Sequence, residues 1–186
     1  MLADAPLPQP LRPTGVDNPR ATLQLFGRVR AVSTVLVYSD DPAIREQILT
    51  SLGRIPSPEI GRVEYVECAD GRAVMATLDA GGIDVCVLDG EAWPTGGMGL
   101  ARQMKDEISD PPGVVLLVAR KDDQWLAKWS RAEVVLQVPI DPFELTAAVV
   151  SQLRARIAAA QVTAAHADAH ADAAPARKVG FGLRSG

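Results

Sequence analysis

Aromatic side chains are scarce in this chain: three Trp, two Tyr and three Phe make up 4% of its 186 residues. A hydrophobic interior must therefore come from aliphatic residues, and the length suffices for one good core rather than two. Cysteine occurs twice, at Cys68 and Cys86. Both sit in apolar runs without metal-ligand spacing or a thiol-activating neighbour, so they are expected to be reduced, small core residues. No apolar run approaches the ~20 residues that cross a bilayer. The N-terminus lacks the basic start and apolar core of a secretory signal, so a cytoplasmic protein is expected. Positive charge is not in excess either. The formal net charge is −4, which argues against a general electrostatic attraction to nucleic acid.

What remains falls into three segments. Residues 1–33 form a proline-rich extension that opens "MLADAPLPQPLRPTGVDNP". Repeated proline forbids helix there and favours an extended coil. Residues 34–154 are regular, and 155–186 form an alanine-rich helical extension followed by a basic, glycine-rich tail. In the regular segment, strand-length apolar runs ("TVLVYS", "VEYVECA", "IDVCVLD", "VVLLVA", "VVLQVP") alternate with stretches of helical period at 42–52, 71–80, 97–109, 122–131 and 142–158. Ile44, Ile48, Leu49 and Leu52 repeat at helical spacing, as do Leu100, Met104 and Ile108. Pro42 and Pro142, each preceded by aspartate, mark helix starts. Strand-then-helix repetition implies a doubly wound α/β domain with a parallel sheet covered on both faces. Function in such a fold gathers at the carboxyl ends of the strands. Those ends are Ser39-Asp40-Asp41, Asp89-Gly90-Glu91, Val118-Ala119-Arg120 and Val138-Pro139.

Three motifs carry a resemblance: "VLVYSDDPAIR", "DVCVLDG" and "VPIDPFEL". Over residues 34–154 the chain resembles the receiver domain of two-component response regulators. The resemblance implies a five-stranded parallel sheet of order 2-1-3-4-5. It also implies an acid pocket that binds Mg²⁺ and transfers a phosphoryl group to an aspartate. By that likeness Asp89 stands at the phosphoacceptor and Asp40 at the second acid of the metal pair. Ser39 replaces the first acid, and Val118 stands where receivers carry a switch Ser or Thr. Val138 stands where they carry Lys. Mg²⁺ needs carboxylates, and phosphoryl transfer depends on electrostatic stabilisation that valine does not supply. A pseudo-receiver without catalysis or cofactor is therefore expected. Asp40 and Asp89 would be metal ligands only if the Mg²⁺ site survived, and Glu91, Arg120 or Lys121 would have to replace the missing groups. Asp41 is read as a helix cap. The loop "DGEAWPTGGMG" is longer than the receiver pattern.

No DNA-binding output module is expected, because the ~30 residues after the last helix are too few for one. A binding role follows, and candidate anchors are Trp93, Trp125, Trp129 and the tail residues Arg177, Lys178, Phe181 and Arg184. Trp125 and Trp129 lie four apart on one helix face. They are expected to bind a partner, since Leu126 and Ala132 can serve the core and tryptophan is enriched at interface hot spots. The resemblance places them on the face that the fourth and fifth helices share with the fifth strand. Trp93 is an anchor or a lid over the acid pocket. His166 and His170 share a helix face but lack further ligands, and a solvated helix is expected there. "GFGLRSG" follows no strand, so it is not a dinucleotide motif. The segments "LDGEAWPTGGMGLARQMKDE" and "DDQWLAKWSRAE" look like those of actinobacterial orphan receivers associated with respiratory complex I. That likeness implies an accessory subunit docked on the complex's cytoplasmic arm, and so on the membrane only through its partner. The alternative is a single-domain regulator phosphorylated on Asp89 by a histidine kinase.

Overall fold

Three of the helices start on the same local chemistry. Asp41 caps the first helix by accepting the N–H of Ala43 at 2.8 Å, with Pro42 at the opening position. Asp70 accepts from Ala73 N at 2.8 Å. Asp141 accepts from Phe143 N at 2.7 Å and Glu144 N at 3.1 Å. Each cap satisfies N–H groups that the helix itself leaves without partners. The computed structural model describes residues 32–120 and 124–172. Its elements are β1 (Ser33–Tyr38), α1 (Pro42–Leu52), β2 (Val63–Cys68), α2 (Gly71–Ala80) and β3 (Val85–Asp89). They continue with α3 (Gly97–Glu107), β4 (Gly113–Val118), α4 (Gln124–Ser130), β5 (Val134–Gln137) and α5 (Pro142–Asp172).

The five strands form one sheet of order β2-β1-β3-β4-β5, and every pairing is parallel. This is the expected doubly wound arrangement. Its register sets Tyr38 beside Leu88 and Asp89 beside Leu117, so the carboxyl ends of β1, β3 and β4 line up. Side chains alternate across the sheet. Leu36, Tyr38, Cys86, Leu88 and Leu116 pack with Val74 and Leu78 of α2 and Leu100 and Met104 of α3. Val35, Val37, Val85, Val87 and Val115 pack with Ile48 and Leu52 of α1 and Leu145, Val149 and Leu153 of α5. Each fully buried aliphatic side chain contributes about 1.5–3 kcal/mol. Both cysteines are free and buried, as small core residues.

Helix ends differ from the expected ones for physical reasons. α3 stops at Glu107 rather than 109, because Ile108 already turns extended ahead of Pro111 and Pro112. α4 is described over Gln124–Ser130, inside the expected 122–131. α5 runs 31 residues to Asp172, so the stretch of 142–158 continues into the expected alanine-rich helical extension. No glycine or proline interrupts it before Pro175, and alanine, the strongest helix former, sustains it where packing ends. From 158 to 166 it is exposed. Its anchored part is tied down by Arg154 to Glu59 and by Arg156 to Asp110 at 2.6 Å.

On β2, the Tyr65 hydroxyl donates to Gly53 O at 2.5 Å, and burial pushes its pKa up to about 12. An unfolded tyrosine ionises near ~10. Between these values the unfolded chain has released a proton that the native chain keeps. The contribution of Tyr65 is therefore complete below about 10 and lost as pH rises through the native value. Burial raises Tyr38 in the same direction. Thermal unfolding followed against pH should show a midpoint that falls above pH ~10, with a shallower fall in Tyr65→Phe. An identical alkaline limb in the variant would exclude this origin.

Candidate functional site at the strand ends

The end of β1 delivers Ser39 inward and Asp40 outward: Ser39 is fully buried and Asp40 exposed. The Ser39 Oγ donates to Asp89 Oδ2 at 2.7 Å. The same oxygen accepts the N–H of Asp41 at 3.1 Å. The other Asp89 oxygen, Oδ1, accepts from Glu91 N at 3.0 Å. Asp89 is itself 4% exposed. The carboxylate is thus engaged through both oxygens, by the residue that replaces an acid and by the turn that follows β3. Its partner is the Ser39 hydroxyl rather than any group shared with Asp40. Charge-assisted hydrogen bonds of this kind contribute about 1.5–3 kcal/mol.

The remaining positions complete the picture. Val118, at the end of β4, is buried in the layer facing α2 and α3. Val138 packs partly against the opposite layer, with its N–H on Val118 O at 2.9 Å. Neither side chain has a hydroxyl or a cation to offer. The Glu91 side chain accepts the N–H of Ala119 at 3.4 Å, so Glu91 meets Asp89 through its backbone N–H. Arg120 is exposed, and Lys121 lies outside the described residues. Among the described residues no three His, Cys, Asp or Glu side chains come together as a metal-holding group. A Mg²⁺ ion does not fit this donor set. The first acid is a neutral serine whose proton already points at Asp89, and Asp40 stands apart in solvent.

Two contributors escaped the sequence reading. Arg45 of α1 places Nη1 on Ser39 O at 2.6 Å and Nε on Glu67 at 3.1 Å. A cation does stand at the strand end, but a carbonyl and a carboxylate already occupy it. Tyr38 lies under the β3–α3 loop and donates to Thr95 O at 2.5 Å. Burial raises its pKa first, and the charges of Asp40, Asp89 and Asp70 add to that. The loop is pinned further by two glycines. A Cβ at Gly90 would come within 2.6 Å of Leu117 O, and one at Gly97 within 2.5 Å of Asp89 O. Helical or strand periodicity carries no signal for any of these contacts.

The proposed anchors are placed as follows. Trp93 is 76% exposed. Trp125 and Trp129 are 68% and 51% exposed and not core residues. The Trp129 ring lies under Arg102 of α3, 5.7 Å from guanidinium to centroid. That contact joins Trp129 of α4 to α3. Ala132 does pack partly against the core. His166 is exposed, with Nδ1 on Val162 O at 2.8 Å, while the side chain of His170 lies outside the described residues. So do Arg177, Lys178, Phe181 and Arg184. A surface groove of about 550 Å³ runs between α1 and α5, lined by Ser51, Phe143 and Val150 among others, away from the acid site.

No family model matches the chain. Over 121 residues it is 49% identical to an uncharacterized response regulatory protein of Mycobacterium tuberculosis, present in two strains. The match spans 65% of this chain and 91% of the relative. Among solved structures, the receiver domain of the Francisella response regulator 1452 superposes with a TM-score of 0.56 at 21% identity. It covers 66% of this chain and 97% of that one. A CheY-like response regulator receiver domain protein of Methanospirillum hungatei gives 0.53 at 16% identity, over 67% and 96%. At such identities these structures speak for the fold.

The Ser39–Asp89 bond makes a direct prediction. Ser39→Ala should lower stability by about 1–3 kcal/mol in urea unfolding, because a buried carboxylate loses one of its donors. An unchanged unfolding midpoint would mean that the bond carries no weight.

Proposed function

The chain belongs to the response-regulator receiver family, and from that premise we propose that it is a pseudo-receiver, a binding protein rather than an enzyme. The observation that carries this reading is the Ser39 hydroxyl seated on the acceptor carboxylate at 2.7 Å. A phosphoryl group arriving at Asp89 would have to displace that bond. It would then meet valines at 118 and 138 instead of a hydroxyl and a cation. Preorganised positive charge and hydrogen-bond donors supply most of the catalysis in such transfers, and rigid placement governs the remainder.

The competing reading is a single-domain regulator that accepts phosphate on Asp89 from a histidine kinase. In its favour, Asp89 keeps its place at the end of the central strand. Incubation with acetyl phosphate and Mg²⁺, followed by intact-mass spectra, separates the two. The expected result is an unmodified chain, also in Ser39→Asp, which restores one acid but neither the switch hydroxyl nor the lysine. Stoichiometric, hydroxylamine-labile phosphate on Asp89 of the natural chain would overturn the pseudo-receiver reading.

The proposed partner is the cytoplasmic arm of respiratory complex I, with this chain as an accessory subunit held at the inner face of the membrane through that partner. Support comes from the likeness of the β3–α3 and α4 segments to orphan receivers associated with that complex. It is consistent that, among the described residues, no helix is long and apolar enough to cross a membrane. The tail cluster Arg177, Lys178, Phe181 and Arg184 combines positive charge with an aromatic group and suits an acidic groove. Affinity purification of the tagged chain from its own membranes should bring down peripheral-arm subunits in stoichiometric amount. A chain shortened by residues 160–186 should bring down less, the difference shrinking as salt is raised. Recovery of a histidine kinase instead, without the complex, would contradict this assignment.

A further inference from the structure

The start of α1 carries a cation from which the helix itself gains nothing. Arg45 lies one turn past the Asp41 cap, with its backbone N–H on Asp41 O at 3.3 Å. The helix dipole opposes positive charge at this end, so helix formation does not account for the residue. Helical side chains lean back toward the N-terminus, and this one leans over the end of β1. There Nη1 donates to Ser39 O at 2.6 Å and Nε to the Glu67 carboxylate of β2 at 3.1 Å. The Arg45 side chain is 15% exposed and that of Glu67 48%. The cation is thus tucked against the strand end, while its carboxylate is open to solvent on the edge strand.

The peptide that Arg45 holds decides which side chain enters the acid site. The ladder between β1 and β3 ends at Tyr38 and Leu88, so Ser39 is the first residue past it. The Ser39 N–H is held by Cys68 O of β2 at 3.3 Å, and its carbonyl by Arg45. Successive side chains of an extended chain point to opposite sides. With Ser39 fixed from both sides, its hydroxyl is aimed at Asp89 Oδ2 and Asp40 is left in solvent. Turning the serine out would have to break the Arg45 contact as well as the Ser39 bonds to Asp89 and to Asp41 N. A guanidinium suits this task, because its planar fork of donors can hold a carbonyl and a carboxylate at once.

We infer that Arg45 is the positioning residue of the closed acid site, a latch that is set by Glu67 and keeps the Ser39 hydroxyl on Asp89. The latch deepens the pseudo-receiver reading and rests on it. It also links a buried carboxylate to a surface one: a change at Glu67 reaches Asp89 through Arg45 and the Ser39 peptide.

Amide hydrogen exchange in the full chain tests the latch at two reporters, the Asp41 N–H on Ser39 Oγ and the Glu91 N–H on Asp89 Oδ1. Glu133 N on Val114 O and Val138 N on Val118 O serve as controls on the far side of the sheet. Arg45→Met, which keeps an apolar stem, should speed exchange at both reporters at least tenfold and leave the controls within twofold. Glu67→Gln should speed the same two amides by a smaller factor. A partly exposed ion pair adds little to global stability, so the reporters and not the melting temperature carry the result. In a Ser39→Ala chain, Arg45→Met should add nothing further at Glu91, because its effect runs through the missing hydroxyl. Such non-additivity is what a double-mutant cycle measures. Exchange that rises at all four amides, or at neither reporter, overturns the latch, and so does an additive cycle. Should Arg45→Met not fold, Glu67→Gln carries the same cycle with the same outcomes. Intact-mass spectra after acetyl phosphate and Mg²⁺ tell the two failures apart. An unmodified natural chain with an additive cycle removes the latch and leaves the pseudo-receiver reading. Phosphate on Asp89 with a non-additive cycle removes that reading and leaves Arg45 as the residue that places Ser39.

Discussion

A hydroxyl–carboxylate hydrogen bond sits at the centre of this structure. Ser39 and Asp89 end neighbouring strands of the sheet, and the parallel register of β1 with β3 brings those ends together. A carboxylate at that depth must find donors or lose its charge. In this chain it finds them within the protein, from Ser39 on one oxygen and from the backbone of Glu91 on the other. The consequences extend outward. Ser39 is itself held by Asp41 N, which ties the bond to the cap of α1, and Arg45 of that helix closes over the Ser39 carbonyl. The loop after Asp89 is anchored by Tyr38 to Thr95 and by glycines that allow backbone to approach backbone. Both oxygens of Asp89 are thus met by groups of the chain itself.

The architecture was legible in the sequence because its signals are local and repeated. Strand-length aliphatic runs, helical spacing and aspartate–proline starts each reported the element that formed, and the likeness to receivers gave the strand order. The residue types at Ser39, Val118 and Val138 stand out in the sequence too, since each differs in chemical type from what the receiver motif carries at its position. The direction of the Ser39 hydroxyl was not. Nothing in "YSDD" says that the serine turns in toward Asp89 while Asp40 turns out. Arg45 and Tyr38 act across 6 and 57 residues of sequence, through contacts that only the folded sheet creates. The continuation of α5 past 158 was legible in composition rather than in apolar period, since alanine sustains the helix where packing ends.

Exposed tryptophans lie on the loop before α3 and on α4, and a cation–π contact draws α4 toward α3. Ser39, Asp41 and Tyr38 tie the strand end to the cap of α1 and to the β3–α3 loop.

The central claim is that the pocket around Asp89 is closed by Ser39, and a phosphoryl mimic tests it most directly. Beryllofluoride with Mg²⁺ can be titrated into the full chain and followed by fluorine NMR, with amide shifts of Ser39, Asp89 and Glu91 recorded alongside. The account predicts no bound-fluoride resonance and no shift at these three residues at any concentration that leaves the protein folded. A saturable bound resonance, with Asp89 and Ser39 shifting together, would contradict it.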